Sequence, residues 1–115
     1  MLIGVLQVEL TIPGSQSLKD KRRVVQSIKA KLHREHMVSV AETGSLGSLS
    51  TATLGIVLAA GEVPYCQSVL HTIVDKLKTH RDAVLADWSI QIITGVTTSE
   101  TEDEEGLEDQ DGAEA

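Results

Sequence analysis

Residues 2–32, "LIGVLQVELTIPGSQSLKDKRRVVQSIKAKL", decide the fold of this chain. Over residues 2–12 apolar and polar side chains alternate, which is the pattern of a half-buried strand, and Pro13-Gly14 ends it. Residues 18–34 instead repeat apolar side chains with the period of an amphipathic helix, and Ser17 with Asp20 forms a short-armed capping box. The chain therefore opens with a strand and a helix that each bury one side. The predicted inward residues are Leu2, Leu6, Val8, Leu10 and Ile12 of the strand and Leu18, Val24, Val25, Ile28 and Leu32 of the helix.

The remaining predicted elements complete a known order. Strands are predicted over residues 37–42, 51–59 and 86–93, and a second amphipathic helix over residues 65–79. The last strand alternates Trp88, Ile90 and Ile92 inward against polar neighbours. The order β-α-β-β-α-β predicts an α+β fold, the ferredoxin-like plait, in which two helices cover one face of a four-stranded antiparallel sheet.

Length and charge divide the chain into two parts. A chain of 115 residues with 41% hydrophobic content is the size of one domain. The net charge of −7 is unevenly distributed, because residues 100–115 hold nine acids and no bases, whereas residues 17–35 hold seven Lys or Arg against two acids. We predict a ferredoxin-like domain over residues 1–94 and a disordered acidic tail over residues 95–115.

Cysteine content and hydropathy predict a cytoplasmic protein. Cys66 is the single cysteine, so no internal disulfide can form. The first ten residues lack the features of a secretory signal. The chain contains no run of about 18 apolar residues, so no membrane-spanning segment is predicted. We therefore expect no contact with a membrane.

The first helix carries an unusual set of cations. Lys19, Lys21, Arg22 and Arg23 lie in its first two turns, where the helix dipole disfavours positive charge. Together with Lys29 they predict a surface that contacts RNA phosphates, since Lys and Arg near helix N–H groups bind such anions. The alternative is a solvated face without a partner. Lys21 lies beside the apolar stripe, so its stem is expected to cover apolar surface while its ammonium reaches solvent.

The sheet face opposite the helices has a different composition. No aromatic side chain is predicted there, so base stacking on the sheet is not expected. Alternation places Ile3, Val5 and Val57 on this face, where they predict a homo-oligomer contact. The alternative is that a loop or the start of the tail covers them.

Four segments together resemble a known family. These segments, "MLIGVLQVELTIPGSQSLKDKRRVVQSIKAKL", "VSVAE", "ATLGIVLAA" and "DWSIQII", are similar to the YlxP family, small bacterial proteins with a domain of unknown function. The resemblance covers roughly residues 1–94. It implies a ferredoxin-like fold, no established enzymatic activity, and genes beside those of translation initiation and ribosome maturation. That context suggests ribosomal RNA or the small ribosomal subunit as partner. The matching surface positions are Lys19, Lys21, Arg22, Arg23 and Glu42.

The sequence departs from the family pattern at two places. Relatives usually carry an acidic residue and a Trp in the connection before the third strand, whereas residues 43–50 here are rich in Gly and Ser. His36 stands where Phe is usual in the family. The acidic tail looks like an addition to the family pattern.

Catalytic equipment is not recognisable in the sequence. The chain contains no Asn, and the turn after the first strand has no Arg, so the machinery of acylphosphatases, which are small ferredoxin-like enzymes, is missing. No nucleophile with a base and an orienting group can be assembled. The glycines of residues 43–50 do not form a nucleotide loop. The histidines lack companions for a metal site, and Cys66 is expected to pack in the core.

These observations predict a binding protein without enzymatic activity, cofactor or metal. Its expected partner is ribosomal RNA or the small ribosomal subunit, contacted through the first helix. The alternative is a structural or regulatory homo-oligomer that assembles through the open sheet face. A further hypothesis is that the acidic tail folds back on the basic helix and competes with nucleic acid; otherwise the tail only increases solubility.

Overall fold

The computed structural model describes residues 1–97, which form a four-stranded sheet and two helices. All strand pairs are antiparallel and the sheet order is β2-β3-β1-β4. This order, with both helices on one face, confirms the ferredoxin-like plait. In chain order the elements are β1 (Leu2–Thr11), α1 (Leu18–Glu35), β2 (Ser39–Gly44), β3 (Thr51–Ala60), α2 (Val63–Lys78) and β4 (Val84–Ile93).

The core lies between the sheet and the helices and is built from aliphatic side chains. Alternation along β1 is as predicted, with Leu6, Val8 and Leu10 fully buried. Leu18 differs from the prediction: it is exposed and is the first residue of α1. Cys66 packs in the core, as expected, and burial raises the pKa of its thiol.

Two strands differ from the predicted bounds because pairing with a neighbouring strand decides where they begin and end. β2 begins at Ser39 and runs to Gly44, into the predicted connection, because it pairs with β3 on both sides of an irregularity between Glu42 and Gly44. β4 begins at Val84, and a bulge opposite Glu9 and Leu10 changes its alternation. Leu85 therefore packs against the edge of the core. Strict alternation counted back from Trp88 would place it on the opposite face.

Trp88 faces the helix side, as predicted, but it is not part of the core. It pairs with buried Val8, and 36% of it stays exposed because β4 is an edge strand. Its ring lies nearly perpendicular to that of His71, with centroids 5.9 Å apart, and the Lys78 ammonium lies 5.9 Å from its centroid.

One glycine allows α2 to pack closely on the sheet. A Cβ added at Gly4 would overlap the sulfur of Cys66 and lie 2.9 Å from Cδ1 of Leu70. Any larger residue at position 4 would push the helix away from β1. This contact sets how closely α2 approaches β1.

Candidate nucleic-acid interface

The start of α1 is capped by its own residues. Oγ of Ser17 accepts a hydrogen bond from the amide of Asp20 at 3.1 Å, and Oδ2 of Asp20 accepts one from the amide of Gln16, also at 3.1 Å. The capping box is therefore present, although the Asp20 carboxylate reaches the residue before the cap. This carboxylate offsets part of the positive charge in the first turn.

Lys21 lies in a position that differs from its prediction. Its ammonium does not reach solvent: the side chain is 4% exposed, and Nζ lies 3.1 Å from Oε2 of Glu42. Nζ also donates hydrogen bonds to the carbonyls of Ser45, at 2.8 Å, and Thr51, at 3.1 Å. Two ammonium protons are thus donated to carbonyls, and the contact with Glu42 is an ion pair. Because the ammonium is enclosed by the protein, it is not accessible to a phosphate.

The connection between β2 and β3 forms the cover over this lysine. Ser45 has a left-handed φ of 59°, and its hydroxyl lies 3.0 Å from that of Thr53. At the other end, the Ser15 hydroxyl donates to the carbonyl of Leu49 at 2.5 Å. The Gly- and Ser-rich segment thus joins the start of α1 to the sheet and does not hang free.

Three of the predicted cations form a row on α1. Intervals of three and four residues separate the successive members of this row, which are Lys19, Arg22, Gln26, Lys29 and His33. Such spacing places them on one flank of the helix over about 21 Å. We call Lys19, Arg22 and Lys29 the basic row. Lys19 and Arg22 are exposed, Lys29 is half-buried, and among residues 1–97 no carboxylate lies within 4.0 Å of any of the three.

Arg23 lies apart from the basic row. It is on another flank, 4.0 Å from Oδ1 of Asp20, and its side chain is 71% exposed. It lines a cleft beside the turn between β1 and α1. The five residues predicted from the sequence are thus divided among the basic row, this cleft and a buried ion pair.

A second polar cluster joins the end of α1 to α2. Nζ of Lys76 lies 2.7 Å from Oε1 of Glu35 and 2.8 Å from Nε2 of His36. Burial, and then the Lys76 charge, hold the pKa of His36 below its ordinary value; the hydrogen bond from Lys76 lowers the pKa of Glu35. No sequence pattern identified this cluster, because its residues lie about 40 positions apart.

The open sheet face brings the predicted oligomer-contact residues together. Val5 and Val57 are directly paired across β1 and β3, and Ile3 lies two residues from Val5 on the same face. Ile93, which the sequence reasoning did not single out, is paired with Ile3. Val57 and Ile93 are each 41% exposed, so an apolar patch is accessible at this end of the sheet.

Neither metal-binding side-chain clusters nor membrane-spanning helices occur in residues 1–97. No group of three or more His, Cys, Asp or Glu side chains in this part of the chain is placed to hold a metal ion. Neither α1 nor α2 has the length and apolar character that crossing a membrane requires.

Comparison with models of protein families assigns most of the chain to one family. The model of the family described as "Protein of unknown function (DUF503)" matches residues 3–90. The chain belongs to the DUF503 family. The match runs from β1 into β4, so the basic row, the buried Lys21 and the β2–β3 connection all lie within the DUF503 domain. A search of curated proteins found no match to this chain.

Proposed function

We propose that this DUF503 protein is a YlxP-type, non-enzymatic cytoplasmic protein that binds RNA phosphates through the basic row. The proposed partner is ribosomal RNA, on the small ribosomal subunit or its precursors. The observation that carries the proposal is the absence of carboxylate partners for Lys19, Arg22 and Lys29 among residues 1–97. A face used only for solubility gains stability from acids at neighbouring turns, and this flank has none.

The physical basis of the proposed contact is electrostatic. Each Lys or Arg that neutralises a phosphate releases condensed counterions, so affinity falls as salt rises. Phosphate contacts orient a protein on RNA without reading its sequence. The proposal therefore concerns a backbone contact, and Lys21 is not part of it because its ammonium is engaged inside the protein.

The test measures binding of the full chain to small-subunit ribosomal RNA as a function of salt. Three phosphate contacts predict a slope of log K against log salt of about −2 to −3. The double variant Arg22→Glu/Lys29→Glu should lose most of the affinity and reduce the slope to about −1. The matched control is Arg34→Glu/Lys78→Glu, which makes the same charge change at exposed positions outside the basic row.

The control decides between a specific surface and general charge attraction. If both double variants weaken binding equally, overall charge is responsible and the basic row is not the site. Failure of the unaltered chain to bind RNA at low salt would remove the proposal altogether.

The second candidate is a homo-oligomer formed through the open sheet face. The observation in its favour is the exposed patch of Ile3, Val5, Val57 and Ile93. A second copy is the proposed occupant, since one apolar patch can meet itself across a two-fold axis. Light scattering should then show a dimer that Val57→Glu converts to a monomer, with Val84→Glu, at another exposed valine, as control. A monomer at high concentration would exclude it.

A further inference from the structure

A cleft opens where the start of α1 meets the loop after α2. Its volume is about 400 Å³, within the range of sites that bind small molecules. The β1–α1 turn lines it, and α1 and the loop after α2 bring one arginine each to it. The lining consists of residues 12–15, Asp20, Arg23 and Val24 on one side and Arg81 and Asp82 on the other.

The two arginines are available for a ligand. Arg23 lies 4.0 Å from Asp20, and Arg81 lies 3.7 Å from Asp82, both longer than the 2.7–2.9 Å of a strong charge-assisted hydrogen bond. Their side chains are 71% and 91% exposed. Both guanidinium groups can therefore turn toward the cleft without breaking a buried contact.

Two backbone amides at the start of α1 are already engaged. The amide of Asp20 donates to Ser17, and the amide of Gln16 donates to the Asp20 carboxylate. These two amides are therefore not free for an anion, which the two guanidinium groups can hold. Asp20 and Asp82 balance the two positive charges, so attraction between charges alone would hold an anion weakly. The cleft therefore favours a ligand that also makes apolar contacts.

The apolar contact is available beside the arginines. Ile12 is buried at the base of the cleft, Val24 is half-buried, and Pro13 presents its ring at the turn. A flat ring can lie against such a wall and stack on a guanidinium plane, while the second arginine binds a phosphate with two parallel hydrogen bonds.

We infer that this cleft binds a nucleoside monophosphate unit, with its phosphate on one arginine and its base against Pro13 and Val24. The unit is either a free nucleotide or an unpaired nucleotide of an RNA strand. In the second case the inference adds to the proposed function, since Arg23 is on the same helix as the basic row. The cleft itself does not require that function to be correct.

The first test uses the full chain with AMP as probe, followed by NMR titration of backbone amides. Saturable shifts are expected at residues 12–15 and at Arg81 and Asp82. Arg23→Gln and Arg81→Gln should each weaken AMP binding about tenfold, the size expected for one charged hydrogen-bonded contact. Arg34→Gln, the same change at an exposed arginine away from the cleft, should leave AMP binding unchanged. Inorganic phosphate should bind far more weakly than AMP.

Three results of this titration would overturn the inference. They are no saturable shift in the cleft with AMP, equal weakening by Arg34→Gln, and phosphate binding as tight as AMP binding. The first result would exclude the site, the second the role of its arginines, and the third the contribution of the base.

The second test identifies the source of the nucleotide and separates the two proposals. If the source is RNA, Arg81→Gln weakens binding of single-stranded RNA and leaves duplex RNA unaffected. If it is a free nucleotide, Arg81→Gln weakens AMP binding alone. AMP binding without any RNA binding would overturn the proposed function and support the cleft; RNA binding without AMP binding would overturn the cleft alone.

Discussion

Nζ of Lys21 lies 3.1 Å from Oε2 of Glu42, and this buried ion pair joins the first helix to the edge strand β2. The same ammonium bonds the carbonyls of Ser45 and Thr51, so one cation holds together three segments that are distant in sequence. Both residues lie within the part of the chain that matches the DUF503 family. The structure accounts for their presence through folding, without an external partner.

Removal of this ammonium should destabilise the protein. In Lys21→Met, Glu42 and two carbonyls lose their partner, and we expect a loss of about 3 kcal/mol in the free energy of unfolding, since an unpaired buried charge is costly. Urea unfolding measures it, with Lys19→Met as the exposed control. The double variant Lys21→Met/Glu42→Leu should recover part of the loss. A Lys21→Met protein as stable as the control would show that the ion pair contributes little.

Substitution of Gly4 should also destabilise the fold, through packing. In Gly4→Ala the added methyl group overlaps the sulfur of Cys66, so we expect a loss of about 1–3 kcal/mol from overpacking. Gly47→Ala is the control, because its added Cβ would meet nothing within 4 Å. Cys66→Ala in the Gly4→Ala background removes the sulfur and should restore part of the stability. No restoration would mean that the strain lies elsewhere.

Stability should fall as the pH falls below about 6.5, because of His36. Its folded-state pKa lies below its ordinary value of 6.5, so the unfolded chain takes up the proton first. Stability is therefore fully present above pH 6.5 and is lost as the pH falls toward the lowered pKa. The pKa of Glu35 is also lowered, so stability should fall further below pH 4.5, the ordinary pKa of this group.

The variant His36→Gln isolates the contribution of the histidine. Unfolding measured between pH 7 and pH 5 should show a shallower pH dependence in this variant than in the unaltered chain. His33→Gln, at an exposed histidine of the same helix, should keep the original dependence. Equal slopes for all three proteins would contradict the assignment to His36.

Truncation of the acidic tail should strengthen RNA binding if the tail competes for the basic row. Removal of residues 98–115, which lie outside the described part of the chain, eliminates nine acids and should raise RNA affinity, most at low salt. A full-length control in which these acids are replaced by Gln or Asn separates charge from chain length. If both proteins bind RNA as the unaltered chain does, the tail does not compete.

Local patterns were sufficient to predict the order of elements and most of the core. The alternation of β1, the capping box at Ser17 and the apolar stripe through Val25, Ile28 and Leu32 all depend on near neighbours, and all three are present. The strand ends were less predictable, because pairing with β1 and β3 decides them. The bulge in β4 and the displaced bounds of β2 both arise from pairing with a neighbouring strand.

The site was predicted less completely than the fold. Residue types and their spacing are enough to predict that one helix carries an excess of cations, that the core is aliphatic, and that the elements follow the β-α-β-β-α-β order. Which cations remain accessible depends on long-range packing: Lys21 is buried against Glu42, 21 positions away, while Arg23 and Arg81 meet at one cleft. Charge is a property of each residue, but its availability depends on which distant groups pack against it.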